Sequence, residues 1–143
     1  MRLKTIDDSA FHYKANCLDP IGRRPREHNQ AADHIANCAL AGKADVDTLS
    51  RADVTEHLNK AVALQLFSDG GYVNGAGAAA FVVVGIFPGG TGFRAEILGA
   101  RGVWYSEAYS AFHMEVEALG MATRYVVDLA DKMLRPPKRA RTL

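Results

Sequence analysis

Between Val62 and Tyr105, three stretches of strand-forming residues follow one another with only short, glycine-marked breaks between them. They cover about Val62–Ser68, Gly77–Ile86 and Gly92–Tyr105, and the second holds the β-branched run Val82-Val83-Val84. A parallel pair of strands needs a crossover of about a dozen residues or more, and neither break is that long. The pattern therefore predicts an antiparallel meander, with Pro88-Gly89-Gly90-Thr91-Gly92 marking its second turn. A long amphipathic helix should follow, from Ala111 to Met133. Its apolar stripe is Met114, Ala118, Met121, Ala122, Tyr125, Val126, Leu129 and Met133, and Pro136-Pro137 ends it.

Upstream the period changes. Ala31, Ala32, Ile35, Ala36, Ala39 and Leu40 recur at helical spacing, which predicts a helix over 26–40 with Gly42 as its stop. A second short helix is expected from Ser50, a good N-cap, with Val54, His57, Leu58 and Ala61 turned inward. The expected class is α+β or α/β: a helical segment over 1–60, a three-stranded meander and long helix over 61–135, and a basic tail over 136–143. A chain of 143 residues has room for one domain with its own core.

Charge and cysteine content narrow the setting. The net charge of +1 does not advertise a polyanion partner for the whole chain. Basic residues nevertheless cluster at Arg23, Arg24 and Arg26, and again at Arg135, Lys138, Arg139 and Arg141. The late cluster is expected either to touch phosphate or serve as a nuclear address, or to end the chain as a solvated tail. Cys17 and Cys38 are too few for a disulfide framework, and Met1–Thr5 lacks the apolar core of a signal peptide. The stretch from Ala76 to Phe87 is too short to cross a bilayer. An intracellular protein, cytoplasmic or nuclear and without a membrane partner, is the expectation.

The chemistry concentrates where the first apolar run meets glycine, at Ala63-Leu64-Gln65-Leu66-Phe67-Ser68-Asp69-Gly70-Gly71. A strand ending there would hold the Asp69 carboxylate at the end of the sheet, the glycines turning the backbone away, and a fixed carboxylate is a ligand for a hard cation. The alternative is a surface Asp-Gly turn in an unrelated α+β domain. Glu115 and Glu117 sit two apart at the start of the long helix, so only one can face Asp69. Glu115, beside Met114 and Ala118, is the choice. His34 and Cys38, four apart on one helix, are a candidate metal pair, but without two further ligands packing is the better reading.

Ser68-Asp69-Gly70-Gly71, followed by Asn74-Gly75-Ala76-Gly77-Ala78-Ala79-Ala80-Phe81-Val82-Val83, resembles the opening of a type 1 ribonuclease H domain. Met114-Glu115-Val116-Glu117-Ala118-Leu119 resembles that family's first-helix motif, which carries its second acidic ligand. Pro25-Arg26-Glu27-His28-Asn29-Gln30-Ala31-Ala32-Asp33 resembles its last helix, as found in retroelement polyproteins, and makes Asp33 the counterpart of the final metal ligand. That helix stands here before the first strand. The chain is therefore either the tail of one such domain followed by the head of another, the simpler case, or a permuted copy in which Asp33 approaches the same metals.

The resemblance implies a nuclease that hydrolyses the RNA strand of an RNA–DNA hybrid with two Mg2+ (or Mn2+) ions, one activating water and the other stabilising the departing 3′ oxygen. Asp69, Glu115 and Asp33 would be catalytic metal ligands. Gly70, Gly71 and Asn74 would meet the hybrid's minor groove. The family's third acidic ligand lies on a strand after the long helix, and residues 134–143 offer neither acid nor strand. The alternative function is thus a non-catalytic nucleic-acid-binding or assembly fragment of a retroelement-derived protein. An exposed sheet edge would favour self-association or a missing second half.

Overall fold

A computed structural model of the chain describes residues 25–51 and 54–134. The elements are helix α1 (Pro25–Gly42), strand β1 (Val46–Asp47), a 3-10 turn (Leu49–Arg51) and helix α2 (Val54–Leu58), then strands β2 (Ala63–Val73), β3 (Ala76–Gly89) and β4 (Gly92–Tyr105), and helix α3 (Ala111–Leu134). The architecture is α+β: one antiparallel sheet in the order β1-β4-β3-β2, with α3 closing the described chain. The expected meander and long helix are present. β1, at two residues, is too short to leave a pattern in the sequence.

β3 is the spine of the sheet, buried from Gly77 to Phe87. A strand presents alternate residues to opposite faces, so a strand covered on both sides reads as a continuous apolar run rather than an alternation. Ala78, Ala80, Val82 and Val84 meet α1 through Ala31, Ala32, Ile35, Ala36 and Ala39. Ala79, Phe81 and Val83 meet α3 through Ala118, Met121 and Ala122. The two helices therefore clasp one sheet from opposite sides. The small residues of α1 and of β3 let their backbones come close. The segment expected to be a separate leading helix is, in the structure, one layer of the same core.

Three local expectations change. β2 does not end at Asp69: Gly70 and Gly71 stay extended, paired with Ala79 and Ala78, and the chain turns at Asn74-Gly75. Both turn residues have positive φ, 49° and 82°, the pair of conformations that a tight two-residue hairpin needs. Among the described residues β2 is an edge strand. The short helix begins at Val54 rather than Ser50, because Ser50 lies in the 3-10 turn and gives its N–H to Asp47 Oδ1 at 3.2 Å. His57, expected inside, is exposed and stands edge-on to Phe87.

Arg23, Arg24, the segment 136–143 and the rest of residues 1–24, including Cys17, lie outside the described residues. Among the described residues no helix is long and apolar enough to cross a membrane.

Candidate functional site

Asp69 pairs across the ladder with Ala80, which places its side chain on the α1 face. There it is half-buried and hydrogen-bonded to the Asp33 carboxyl of α1. Two carboxyls can share such a bond only if one keeps a proton. The Asp69 carboxyl is pushed up to about 6, with burial the largest cause. The Asp33 bond adds to the rise, the Gly70 N–H at 3.0 Å opposes it, and the charges of Asp33 and Glu115 raise it further. Asp33 also accepts a bond from Asn37 Nδ2 at 3.3 Å, one helical turn on.

Glu115 reaches this neighbourhood from the other face. Asp69 and Glu115 are rooted on opposite sides of the sheet, and they approach because the start of α3 lies directly on the strand at Gly70. A Cβ at Gly70 would overlap the Met114 carbonyl carbon and the Glu115 nitrogen, so no other residue allows this contact. Gly77 instead leaves room for side chains, those of Met114 and Ala108. The loop before α3 is tied to the hairpin by the Ala108 N–H, which donates to Gly75 O at 2.7 Å. α3 then starts on a cap: the His113 N–H donates to Ser110 Oγ at 3.0 Å, and the Tyr109 N–H donates to His113 Nδ1 at 3.3 Å.

Glu117 is engaged elsewhere. Its carboxylate accepts from Tyr105 Oη at 3.5 Å and faces His113 Nε2 at 3.8 Å. Burial, followed by the Glu117 charge, pushes the Tyr105 phenol up. Glu117 is thus engaged on the Tyr105 side, while Glu115 acts on Asp69 through its charge. Asp47 is likewise occupied: its carboxylate takes the Leu49 and Ser50 N–H groups and Arg101. Burial alone would raise its pKa, but the Ser50 bonds and the Arg101 guanidinium outweigh that and lower it.

The charges of Asp33 and Glu115 both act on Asp69, and the ion pairs of Arg94 with Glu96, Arg101 with Asp47 and His113 with Glu117 involve none of these three acids. Carboxylate oxygens are the donors Mg2+ and Mn2+ prefer, so the donor set suits a hard cation. Among the described residues no three acidic, histidine or cysteine side chains are already spaced as a coordination shell.

Of the three residues assigned by resemblance to nucleic acid, Asn74 is exposed at the hairpin tip, while Gly70 and Gly71 are half-buried. The space above Gly71 is taken by the Leu40 side chain, so both glycines have a packing reason within the fold. The His34–Cys38 pair is a contact of 3.7 Å between Nε2 and Sγ. Burial pushes the Cys38 thiol up, which keeps it protonated and a poor metal ligand. The functional part that sequence reading missed is Gly70 as a seat for α3; its signal was the glycine pair itself, read as a turn.

Comparison of the chain with protein-family models, with curated proteins and with solved structures found no match.

Proposed function

We propose that this chain is a ribonuclease H-like domain that binds RNA–DNA hybrids and hydrolyses their RNA strand with the help of Mg2+ or Mn2+. The observation that carries the reading is the meeting of Asp33 and Asp69, far apart in sequence, in one hydrogen bond within the field of Glu115. These are the three acids the resemblance selects, from three separate motifs. It supports the permuted arrangement over the tandem one: the helix that resembles the family's last is packed on the same sheet as the first-strand aspartate.

In this reading Asp69 is the shared ligand, with Asp33 and Glu115 beside it. With Mg2+ bound, the site would supply Lewis-acid activation of water and stabilisation of the departing 3′ oxygen. A dication needs Asp69 as the carboxylate, so the proton that its raised pKa holds must leave first. Activity is therefore expected to rise with pH through about 6, the value to which Asp69 is pushed. Gly70 acts indirectly, by letting the first turn of α3 rest on β2.

The second reading, a hybrid-binding fragment without catalysis, draws on the absence of a ready-spaced ligand set among the described residues. One experiment separates the two. A labelled RNA–DNA hybrid is incubated with the chain, with and without Mg2+, beside Asp69→Asn. Mg2+-dependent RNA products that the variant does not yield support the nuclease; binding without products supports the fragment; neither binding nor products overturns both.

A further inference from the structure

Of the asparagines Asn16, Asn29, Asn37, Asn59 and Asn74, Asn74 alone stands before a glycine. That pair carries a chemistry of its own. The backbone nitrogen of a following residue attacks an asparagine carboxamide, and a side chain on that residue crowds the approach; glycine removes the obstacle. The surroundings of Asn74-Gly75 are open as well. Asn74 is exposed, and its side chain has no hydrogen-bond partner among the described residues. Nothing lies within 4 Å of where a Cβ on Gly75 would stand. Asn37 is the contrast: it is held inside α1 and gives a side-chain N–H to Asp33 at 3.3 Å. At Asn74 the turn itself sets the rate. Asn74 and Gly75 both keep positive φ, and no ring closes between Gly75 N and Asn74 Cγ while Asn74 holds that left-handed turn. The tip must first open. Its tie to the rest of the fold is the Ala108 N–H, which donates to Gly75 O at 2.7 Å. Chain segments with so few contacts open locally at little cost.

We propose that Asn74 is a site of spontaneous covalent modification, converting through a cyclic imide to aspartate and isoaspartate, and that the isoaspartate form releases the loop before α3. In the first step the Gly75 nitrogen bonds to Asn74 Cγ and the Cγ–Nδ2 bond breaks. The Gly75 amide proton leaves with the side-chain nitrogen as ammonia. Water then opens the ring. Breaking the bond from Gly75 N to Cγ gives aspartate, with the main chain unchanged. Breaking the bond from Gly75 N to the Asn74 carbonyl carbon gives isoaspartate, whose main chain runs through Cβ and Cγ and is longer by one carbon. Either product gains a carboxylate. They differ in what they do to the fold. Aspartate tolerates positive φ, so the turn survives it. A two-residue turn joins Val73 to Ala76 across the ladder, and an extra backbone carbon does not fit between them. Gly75 O then leaves the Ala108 N–H, and the tie between the hairpin and the loop leading to α3 is lost.

The test ages the full chain in warm, mildly alkaline buffer and follows it by peptide mapping with mass spectrometry. A free peptide of the sequence from Val73 to Gly77 is aged beside it. Asn74 should gain about 1 Da, while Asn37 stays intact. Conversion should be slower than in the peptide by the fraction of time the tip is open, about tenfold. The isoaspartate form is then separated from the aspartate form. Its Ala108 amide should exchange about tenfold faster than in fresh chain. In Asn74→Asp, which carries the charge without the extra carbon, and in Asn74→Gly, which suits the turn and has no carboxamide, that amide should stay as slow as in fresh chain. An Asn74 that remains intact while the peptide converts overturns the proposal. Isoaspartate at Asn74 with no change at the Ala108 amide overturns the release of the loop. The proposal does not rest on the nuclease reading, and either result leaves that reading standing.

Discussion

Replacing Asp69 with Asn probes the carboxylate group through stability, independently of any substrate. In the folded chain burial, the bond to Asp33 and the nearby charges push the Asp69 carboxyl up from 3.8 to about 6. A group that holds its proton more tightly when folded favours folding fully below its unfolded pKa. That contribution is lost as pH rises through the folded value. The parent should therefore lose stability relative to a neutral side chain between about pH 4 and 6, the two values set by Asp69 itself. A shift of that size is worth about 3 kcal/mol at full weight, and solvent screening of this half-exposed side chain reduces it to about 1 kcal/mol. Asn has nearly the same volume and carries no charge at any pH. Asp69→Asn should thus match the parent near pH 3.5 and exceed it by about 1 kcal/mol at pH 8, a melting-temperature gain of about 3 °C. Urea unfolding followed by circular dichroism across this pH range gives the difference directly. A gap that does not change with pH, or a variant less stable than the parent at pH 8, would refute the electrostatic account of the site.

Gly70→Ala should destabilise the fold by about 2 kcal/mol, since its Cβ overlaps the Met114 and Glu115 backbone and forces α3 off the strand; urea unfolding measures it. Glu115→Gln should lower the Asp69 pKa by removing a like charge, whereas Glu117→Gln should leave it unchanged; carboxyl-carbon NMR titration distinguishes them. At pH 8, Mg2+ at about ten times its dissociation constant should stabilise the parent by about 1.4 kcal/mol and Asp69→Asn much less, as read from thermal unfolding. Phe81→Ala should cost about 4 kcal/mol, because its ring is fully buried under α3 and against Tyr125; the urea midpoint reports it.

The elements were legible where periodicity was strong. β4 has the bounds its residues predict, and α3 extends one residue beyond them. The helical spacing of Ala31, Ile35 and Ala39 marks α1, but its place against the sheet is not written in any local pattern, because small residues on one face say only that something packs closely there. β2 was read too short for a physical reason: glycine is the residue of turns, and also the residue of strands that another backbone must touch. Only the position of Met114 separates the two uses. β1 and the edge position of β2 depend on pairing partners distant in sequence. At the site, residue types and motif order singled out Asp69, Glu115 and Asp33. The raised pKa of Asp69 comes from tertiary burial and neighbouring charges and could not be read from the chain.

The central claim is that acids from α1, β2 and α3 gather at one place and hold a divalent cation together. Titration of isotopically labelled chain with substoichiometric Mn2+, followed by NMR, tests this without substrate, because paramagnetic broadening falls off steeply with distance from the ion. The account predicts that the signals of Asp33, Asp69 and Glu115 broaden together, and that Asp69→Asn abolishes the effect at all three. Broadening at one of these residues alone, or at acids elsewhere such as Asp128, would contradict it.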